Sequence, residues 1–310
     1  MKLSIVIPAY NEADNILSTL EKLATVLAEA SDLVTDHEIL VIDDHSSDGT
    51  FALLAGHPDK RLRTFRLSRR SGSHTALRVG LDHAEGDAVL CMSADGQDAP
   101  EAIPEMLNKW RTGKHIVWAL RRNRQDEPLL LRWTATLFYK ILTFFGEVRS
   151  EIDLSRADFY LLDKKVVAAV TSCKERNTSL FGLIVWLGFA QDSVEYDRRQ
   201  RTAGRSKWNF RSRMDLAKNW IIAFSGLPLR LITLTGSIVA CLGFLYAMVI
   251  LVRNLFYGSP MLGWPSVMTA ILVLGGAQMI MLGIIGEYLW RNLDESRKRP
   301  IYFIEQSYPE

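Results

Sequence analysis

The sequence predicts an α/β fold: a mostly parallel, doubly wound sheet, followed by interfacial helices and two transmembrane helices. Three observations predict it. Short apolar runs of strand length alternate with helix-period segments through the amino-terminal part of the chain. Polar, mostly acidic clusters follow three of those runs. Near the carboxyl terminus two uncharged stretches, residues 231–252 and 254–286, each exceed the roughly 20 apolar residues that cross a bilayer core of about 30 Å.

Residues 3–7 are almost wholly apolar and end at Pro8, which fits a central parallel strand buried on both faces. Pro8-Ala9-Tyr10-Asn11-Glu12 reads as a loop. Within 15–30, Ile16, Leu20, Leu23 and Leu27 recur at helical spacing. Residues 39–42 form a second strand that runs into Asp43-Asp44-His45-Ser46-Ser47-Asp48-Gly49-Thr50. A third strand covers 63–67 and a second helix 73–84. The run at 88–92 has strand length, is bounded by Gly86-Asp87 and Gly96, and ends in Ser93, Asp95, Gln97 and Asp98. A helix over 100–110 and a strand over 116–120 follow.

In open parallel sheets, ligands gather outside the carboxyl ends of the strands. The clusters after Ile7, Ile42 and Met92 all fall at that edge. Asp95 and Gln97 are two residues apart, so on an extended segment they point the same way. Their oxygens suit a hard cation, Mg²⁺ or Mn²⁺, which keeps water and binds substrate phosphates. A solvated polar turn is the alternative for any one cluster; three along one edge weigh against it. There is no GxGxxG and no GxxxxGK(S/T), which argues against dinucleotide dehydrogenases and P-loop enzymes.

The length of 310 residues suits one large domain, or one with an appendage. The net charge of +2 says little, but its distribution says more. Arg211, Arg213, Lys218 and Arg230 precede the first uncharged stretch. Arg291, Arg297, Lys298 and Arg299 follow the second, and Arg253 lies between them. Positive-inside bias then puts both termini and the amino-terminal domain in the cytoplasm. Two buried core helices are the alternative. Cys91, Cys173 and Cys241 form no CxxC pair and are expected as reduced, buried thiols. No cleavable signal peptide is visible, so insertion is expected to rely on the late spans.

Ser4-Ile5-Val6-Ile7-Pro8-Ala9-Tyr10-Asn11-Glu12, Val41-Ile42-Asp43-Asp44-His45-Ser46-Ser47-Asp48-Gly49-Thr50 and Ala94-Asp95-Gly96-Gln97-Asp98-Ala99-Pro100-Glu101 resemble the signatures of glycosyltransferase family 2. The carboxyl-terminal half is similar to that family's polyprenyl-phosphate branch, the dolichol- and undecaprenyl-phosphate (bactoprenol) glycosyltransferases. The matching residues there are Ala157-Asp158-Phe159, Glu175-Arg176-Asn177, residues 201–208 and Gly286-Glu287-Tyr288-Leu289. One departure is plain: where the family usually has Asp-Ala-Asp-Leu-Gln, this chain has Ser93-Ala94-Asp95-Gly96-Gln97.

The resemblance implies a GT-A catalytic domain and a metal-dependent, inverting transfer. The donor would be a nucleotide sugar, UDP-glucose or UDP-N-acetylglucosamine, and the acceptor undecaprenyl phosphate. Asp95 and Gln97 would hold Mg²⁺ or Mn²⁺. Pro8, Tyr10, Glu12, Ile42, Asp44, Ser93 and Ala94 would frame the donor. Arg121, Arg132, Arg201, Ser206 and Lys207 would grip the acceptor phosphate, with guanidinium forks matching its oxygens. Asp158 and Asp95 would be the catalytic carboxylates; Asp158 could instead cap a following helix.

Lys207 to Phe224 mixes aromatic and basic residues, as interfacial helices do. The expected division is therefore a catalytic domain over 1–206, interfacial helices over 207–228, a two-span anchor over 229–290 and a cytosolic tail over 291–310. Within the tail, residues 298–304 are expected either to return as an extended segment, between subunits, or to fray. The inner membrane is the expected location, a lipid bilayer the expected partner, and a homo-oligomer, a tetramer by family analogy, the expected assembly. No nucleic acid is expected. A weakened family member acting as a membrane scaffold is the rival reading, favoured by Ser93. A processive synthase is disfavoured by the two spans and by the lack of Gln-x-x-Arg-Trp.

Overall fold

The computed structural model describes residues 1–122, 152, 156–176, 178–197, 227–257 and 263–309. In chain order the first elements are β1 (Lys2–Ala9), α1 (Ile16–Glu29), β2 (Asp36–Asp43), α2 (Thr50–Ala55), β3 (Leu62–Leu67), α3 (Ser73–His83) and β4 (Ala88–Cys91). A 3₁₀ turn (Pro100–Ala102) leads into α4 (Ile103–Arg111) and β5 (Ile116–Arg121). Then come β6 (Ala157–Asp163), α5 (Lys164–Ser172), α6 (Leu180–Trp186) and β7 (Gln191–Tyr196). Two long helices, α7 (Leu227–Tyr257) and α8 (Trp264–Ser296), precede β8 (Ile304–Tyr308).

The strands form one sheet in the order β7-β5-β6-β4-β1-β2-β3-β8. β4, β1, β2 and β3 are mutually parallel, and β6 and β8 run antiparallel to their neighbours. Side-chain alternation feeds two cores. Leu3, Ile5 and Ile7 of β1 pack with Leu20 and Leu23 of α1 and Ile103 and Met106 of α4. Val6, Leu40 and Ile42 pack with Val79 of α3, Val166 of α5 and Leu183 of α6. Both faces of the central strands are thus covered, which is why they read as continuous apolar runs. Each wholly buried Leu or Ile contributes about 2 kcal/mol of transfer free energy. At Gly80, α3 lies so close to β1 that a Cβ would sit 2.1 Å from Val6 Cγ1.

The sequence reading located β1 to β5 and missed β6 and β7 as strands; the tail it expected to return as an extended segment does so as β8. Two alternatives are now settled. Asp158 lies in β6, and the aspartate that caps the next helix is Asp163, which accepts the Lys165 N–H at 2.8 Å. The tail does not fray: β8 pairs with β3 of the same chain, with Thr64 opposite Tyr308. Of the cysteines, only Cys91 is buried; Cys173 is half-buried and Cys241 lies exposed on α7.

Among the described residues, one stretch, Val273–Ser296 of 24 residues, is long and apolar enough to cross a bilayer. Leu231–Tyr246 of α7 is a shorter apolar stretch. Large apolar side chains such as Leu242, Phe244, Met279 and Ile280 are exposed along α7 and α8. At its far end α8 is tied back to the sheet domain by an ion pair, Arg176 to Asp294 at 3.4 Å.

Candidate active site

The carboxyl ends of β1 and β2 form one pole. The Asp44 N–H donates to the Ala9 carbonyl at 2.8 Å and closes the two strand ends together. Asp44 then turns its carboxylate toward the start of α3, where it accepts the backbone N–H groups of Ser71 at 2.6 Å and Gly72 at 2.8 Å. Gly72 has a φ of 91°, in the left-handed region that favours glycine. Burial pushes the Asp44 carboxyl above its ordinary value, against those two amides. Burial also raises Asp43, against Ser46 and the guanidinium of Arg66, 3.5 Å away.

Tyr10 is half-buried, and the Arg70 guanidinium lies 4.1 Å from its ring centroid. Asn11, with a φ of 51°, accepts the Ser47 N–H on Oδ1 at 2.8 Å, so the loops after β1 and β2 are tied directly. Glu12 is buried; its N–H donates to Thr50 Oγ1 at 3.0 Å, and its carboxylate accepts from Asn15 Nδ2 at 2.8 Å.

The second pole is the loop after β4. It is a turn, not an extended segment, so strand alternation does not set the relation of Asp95 to Gln97. Gly96 has a φ of 70°, and the Gln97 N–H donates to Asp95 Oδ1 at 3.2 Å. The Ser93 hydroxyl stands 2.8 Å from Asp95 Oδ1 and 2.7 Å from Asp98 Oδ2, one proton between two carboxylates. The Ser93 N–H also donates to Asp98 Oδ2, at 2.6 Å. Thr19 of α1 clasps the loop by donating to the Ala94 carbonyl at 3.1 Å. Burial, reinforced by the charges of Asp158 and Asp95, pushes the Asp98 carboxyl up to about 6.

Asp158 reaches this pole through the antiparallel pairing of β6. Cys91 faces Tyr160, and the register continued past the ladder brings Ser93 opposite Asp158. Its Oδ2 lies 3.0 Å from Arg121 Nε of β5, and it accepts a hydrogen bond from the Tyr196 hydroxyl of β7. Three strands thereby converge on one carboxylate.

Among the described residues, no group of three or more His, Cys, Asp or Glu side chains is arranged to cage a metal ion. A hard cation that takes one or two protein oxygens and fills its sphere with water and phosphate fits what is present. Asp95 and Gln97 supply a carboxylate and an amide, with the carboxylates of Asp98 and Asp158 close by.

The structure therefore brings together Pro8, Tyr10, Glu12, Ile42 and Asp44 at one pole, and Ser93, Ala94, Asp95, Gln97, Arg121 and Asp158 at the other. Arg132, Arg201, Ser206 and Lys207 lie outside the described residues. The sequence reading did not assign Asp43, Arg66, Arg70, Asp98 or Tyr196 to the site. Asp98 was visible beside Gln97 and Asp43 beside Asp44, but Arg66, Arg70 and Tyr196 carry no local signal.

A family model described as glycosyl transferase family 2 matches residues 4–166, and a second, described as GtrB C-terminal hairpin, matches residues 227–291. An uncharacterized glycosyltransferase of Synechocystis sp. is 40% identical over 306 residues, covering 98% of this chain and 95% of its own length. The SfII prophage-derived bactoprenol glucosyl transferase of Shigella flexneri is 36% identical over 310 residues, with 99% of each covered. The prophage bactoprenol glucosyl transferase homolog of Escherichia coli is 35% identical over 308 residues, also with 99% of each covered. Among solved structures, mannosyl-3-phosphoglycerate synthase from Rubrobacter xylanophilus is similar with a TM-score of 0.50 over 72% of each chain at 19% identity, a likeness of fold alone. The sheet is GT-A-like.

Proposed function

The chain belongs to glycosyltransferase family 2, and on that premise we propose that it transfers a hexose from a nucleotide sugar to undecaprenyl phosphate. UDP-glucose and UDP-N-acetylglucosamine are the proposed donors. The relatives named bactoprenol glucosyl transferases support the acceptor and favour glucose. The observation that carries the reading is the convergence at the end of β4: a turn with Asp95 and Gln97 meets Asp158 and Arg121, delivered from β6 and β5.

In the proposed reaction an acceptor phosphate oxygen attacks the anomeric carbon while the bond from that carbon to the diphosphate breaks. The nucleoside diphosphate leaves from the opposite side, and the configuration inverts. Asp95 and Gln97 would hold Mg²⁺ or Mn²⁺, which when bound would supply charge stabilisation for a departing diphosphate. The acceptor needs no strong base, because the second pKa of a phosphate monoester is about 6. Asp158 is therefore assigned to aligning the acceptor and the basic groups around it. Arg121, which Asp158 holds at 3.0 Å, is assigned to the acceptor phosphate together with Arg132, Arg201, Ser206 and Lys207. Asp44 and Tyr10 are assigned to the nucleoside.

Residues 207–228 are assigned to the membrane interface and 229–290 to a two-span hairpin, with both termini cytoplasmic in the inner membrane. α7 and α8, with 31 and 33 residues, run about 46 and 50 Å at 1.5 Å per residue, longer than the roughly 30 Å hydrocarbon core.

The test uses purified full-length protein, undecaprenyl phosphate, MgCl₂ or MnCl₂, and UDP-glucose, UDP-N-acetylglucosamine or GDP-mannose, with the lipid product read by mass spectrometry. A hexosylated lipid from UDP-glucose, lost on chelation and restored by metal, is the expected outcome. No product from any of the three donors rejects the reading. Undiminished turnover under chelation rejects the metal.

A further inference from the structure

The segment that follows the helical hairpin returns to the nucleoside pole. Along the β3–β8 ladder Arg66 faces Gln306, but the next pair is Leu67 and Ile304. Glu305 is therefore the extra residue of a bulge, a feature that re-aims a side chain. Its carboxylate meets Arg66 Nε at 3.1 Å and stands 3.6 Å from His45 Nδ1.

Arg66 is shared. Its Nη1 lies 3.5 Å from Asp43 Oδ2, its Nη2 donates to the Ser46 carbonyl at 3.1 Å, and its guanidinium lies 5.5 Å from the Phe51 ring centroid. His45 sits at a φ of 59° with its ring 3.0 Å from the Leu67 carbonyl. The stretch from Asp43 to Ser47, which carries Asp44 and ties to Asn11, is thus braced from behind by a guanidinium that the end of the chain holds in place.

We propose that Arg66 and Glu305 are positioning residues for the nucleoside half of the donor site, so that the segment beyond the membrane hairpin completes the pocket. The inference rests on the donor reading above. The Asp43 side chain is 0% exposed and that of Glu305 is 44% exposed. Buried partners weigh more than rim partners, so the Asp43 contact outweighs the Glu305 contact.

The experiment measures UDP-glucose titrations and steady-state rates on the full-length protein in detergent, with undecaprenyl phosphate as acceptor. Glu305→Gln is expected to raise the donor KM about threefold, in line with a partly exposed ion pair. Arg66→Ala is expected to raise it about tenfold or more, since it strips a buried carboxylate of its cation. Arg66→Lys keeps the charge without the fork, should recover part of the loss, and guards against misfolding of the alanine variant. The acceptor KM should stay at the wild-type value throughout, and kcat within about twofold, because these groups are remote from the breaking bond. Unchanged donor KM in Glu305→Gln and Arg66→Lys, with wild type binding normally, would overturn the inference alone. A fall in kcat with donor KM unchanged would also overturn it. Wild-type protein that does not bind UDP-glucose would overturn the donor reading, and the inference with it.

Discussion

The two acidic clusters at the sheet edge differ in what answers their charge. At the end of β2, Asp44 meets two backbone amides and Asp43 meets Ser46 and Arg66, so the chain itself compensates both carboxylates. At the end of β4, Asp95 and Asp98 share one serine hydroxyl and each takes one backbone N–H, from Gln97 and Ser93, while Asp98 also feels the charges of Asp158 and Asp95. The first cluster is built to hold its shape. The second is crowded in the way a hard cation relieves. Counting carboxylates would rank the clusters equally; the guanidinium of Arg66 beside the first and the added charge of Asp158 beside the second separate them.

The sharpest way to break that contrast is Asp95→Ala. Turnover, read as nucleoside diphosphate release, should fall at least about 10³-fold, the scale of losing preorganised charge stabilisation at a leaving group. The melting temperature should change little, because the substituted group is only half-buried. Asp44→Asn probes the compensated pole. Its amide NH₂ would face one of the two backbone N–H groups, a mismatch of about 1–3 kcal/mol. The donor KM should rise about tenfold with a smaller loss of kcat.

Ser93→Asp reverses the departure from the usual family pattern. Adding a carboxylate beside Asp98 and Asp95 should lower the melting temperature of metal-free protein and raise Mn²⁺ affinity about fivefold, seen by calorimetry. Equal effects with and without Mn²⁺ would erase the distinction between the poles.

Asp98→Asn should change turnover least and the pH dependence of stability most. The folded value of Asp98, about 6, lies above the ordinary 3.8. Its contribution therefore favours the fold fully below about pH 4 and is lost as pH rises through about 6, a swing of ~3 kcal/mol at most. His74 works the other way. Burial lowers it from 6.5 to about 4, so its contribution is present above pH 6.5 and is lost as pH falls through about 4. In wild type the two slopes oppose each other between pH 4 and 6. Without Asp98, chelator-treated protein should lose stability more steeply on acidification, as measured by thermal unfolding at pH 4.5, 6.0 and 7.5.

Much of this was legible in the sequence because it is local. The strands β1 to β4 announce themselves as apolar runs, and the residues after them fall at the ligand edge of any parallel sheet. What escaped is long-range. β6 supplies Asp158 from beyond a connection that sequence spacing cannot bridge, and its antiparallel sense follows only from pairing with β4. That Arg70 lies over the Tyr10 ring follows only from the fold. That the residues leading into α3 donate to both Asp44 oxygens likewise follows only from the fold. The Gly96 turn undid an argument from alternation that needed an extended backbone. Glu305 lay in a tail with no periodicity to mark it.

The antiparallel seat of β8 on β3 also sets an order of events during synthesis. The ribosome makes β3 first and β8 last, with the hairpin between them. Until β8 has been made, the outer edge of β3 lacks this neighbour and Arg66 lacks Glu305. A chain halted before that point would carry an unpaired strand and an unbraced nucleotide loop. On the proposed reading, a completed donor pocket would therefore arise only in molecules whose helical hairpin has already been made.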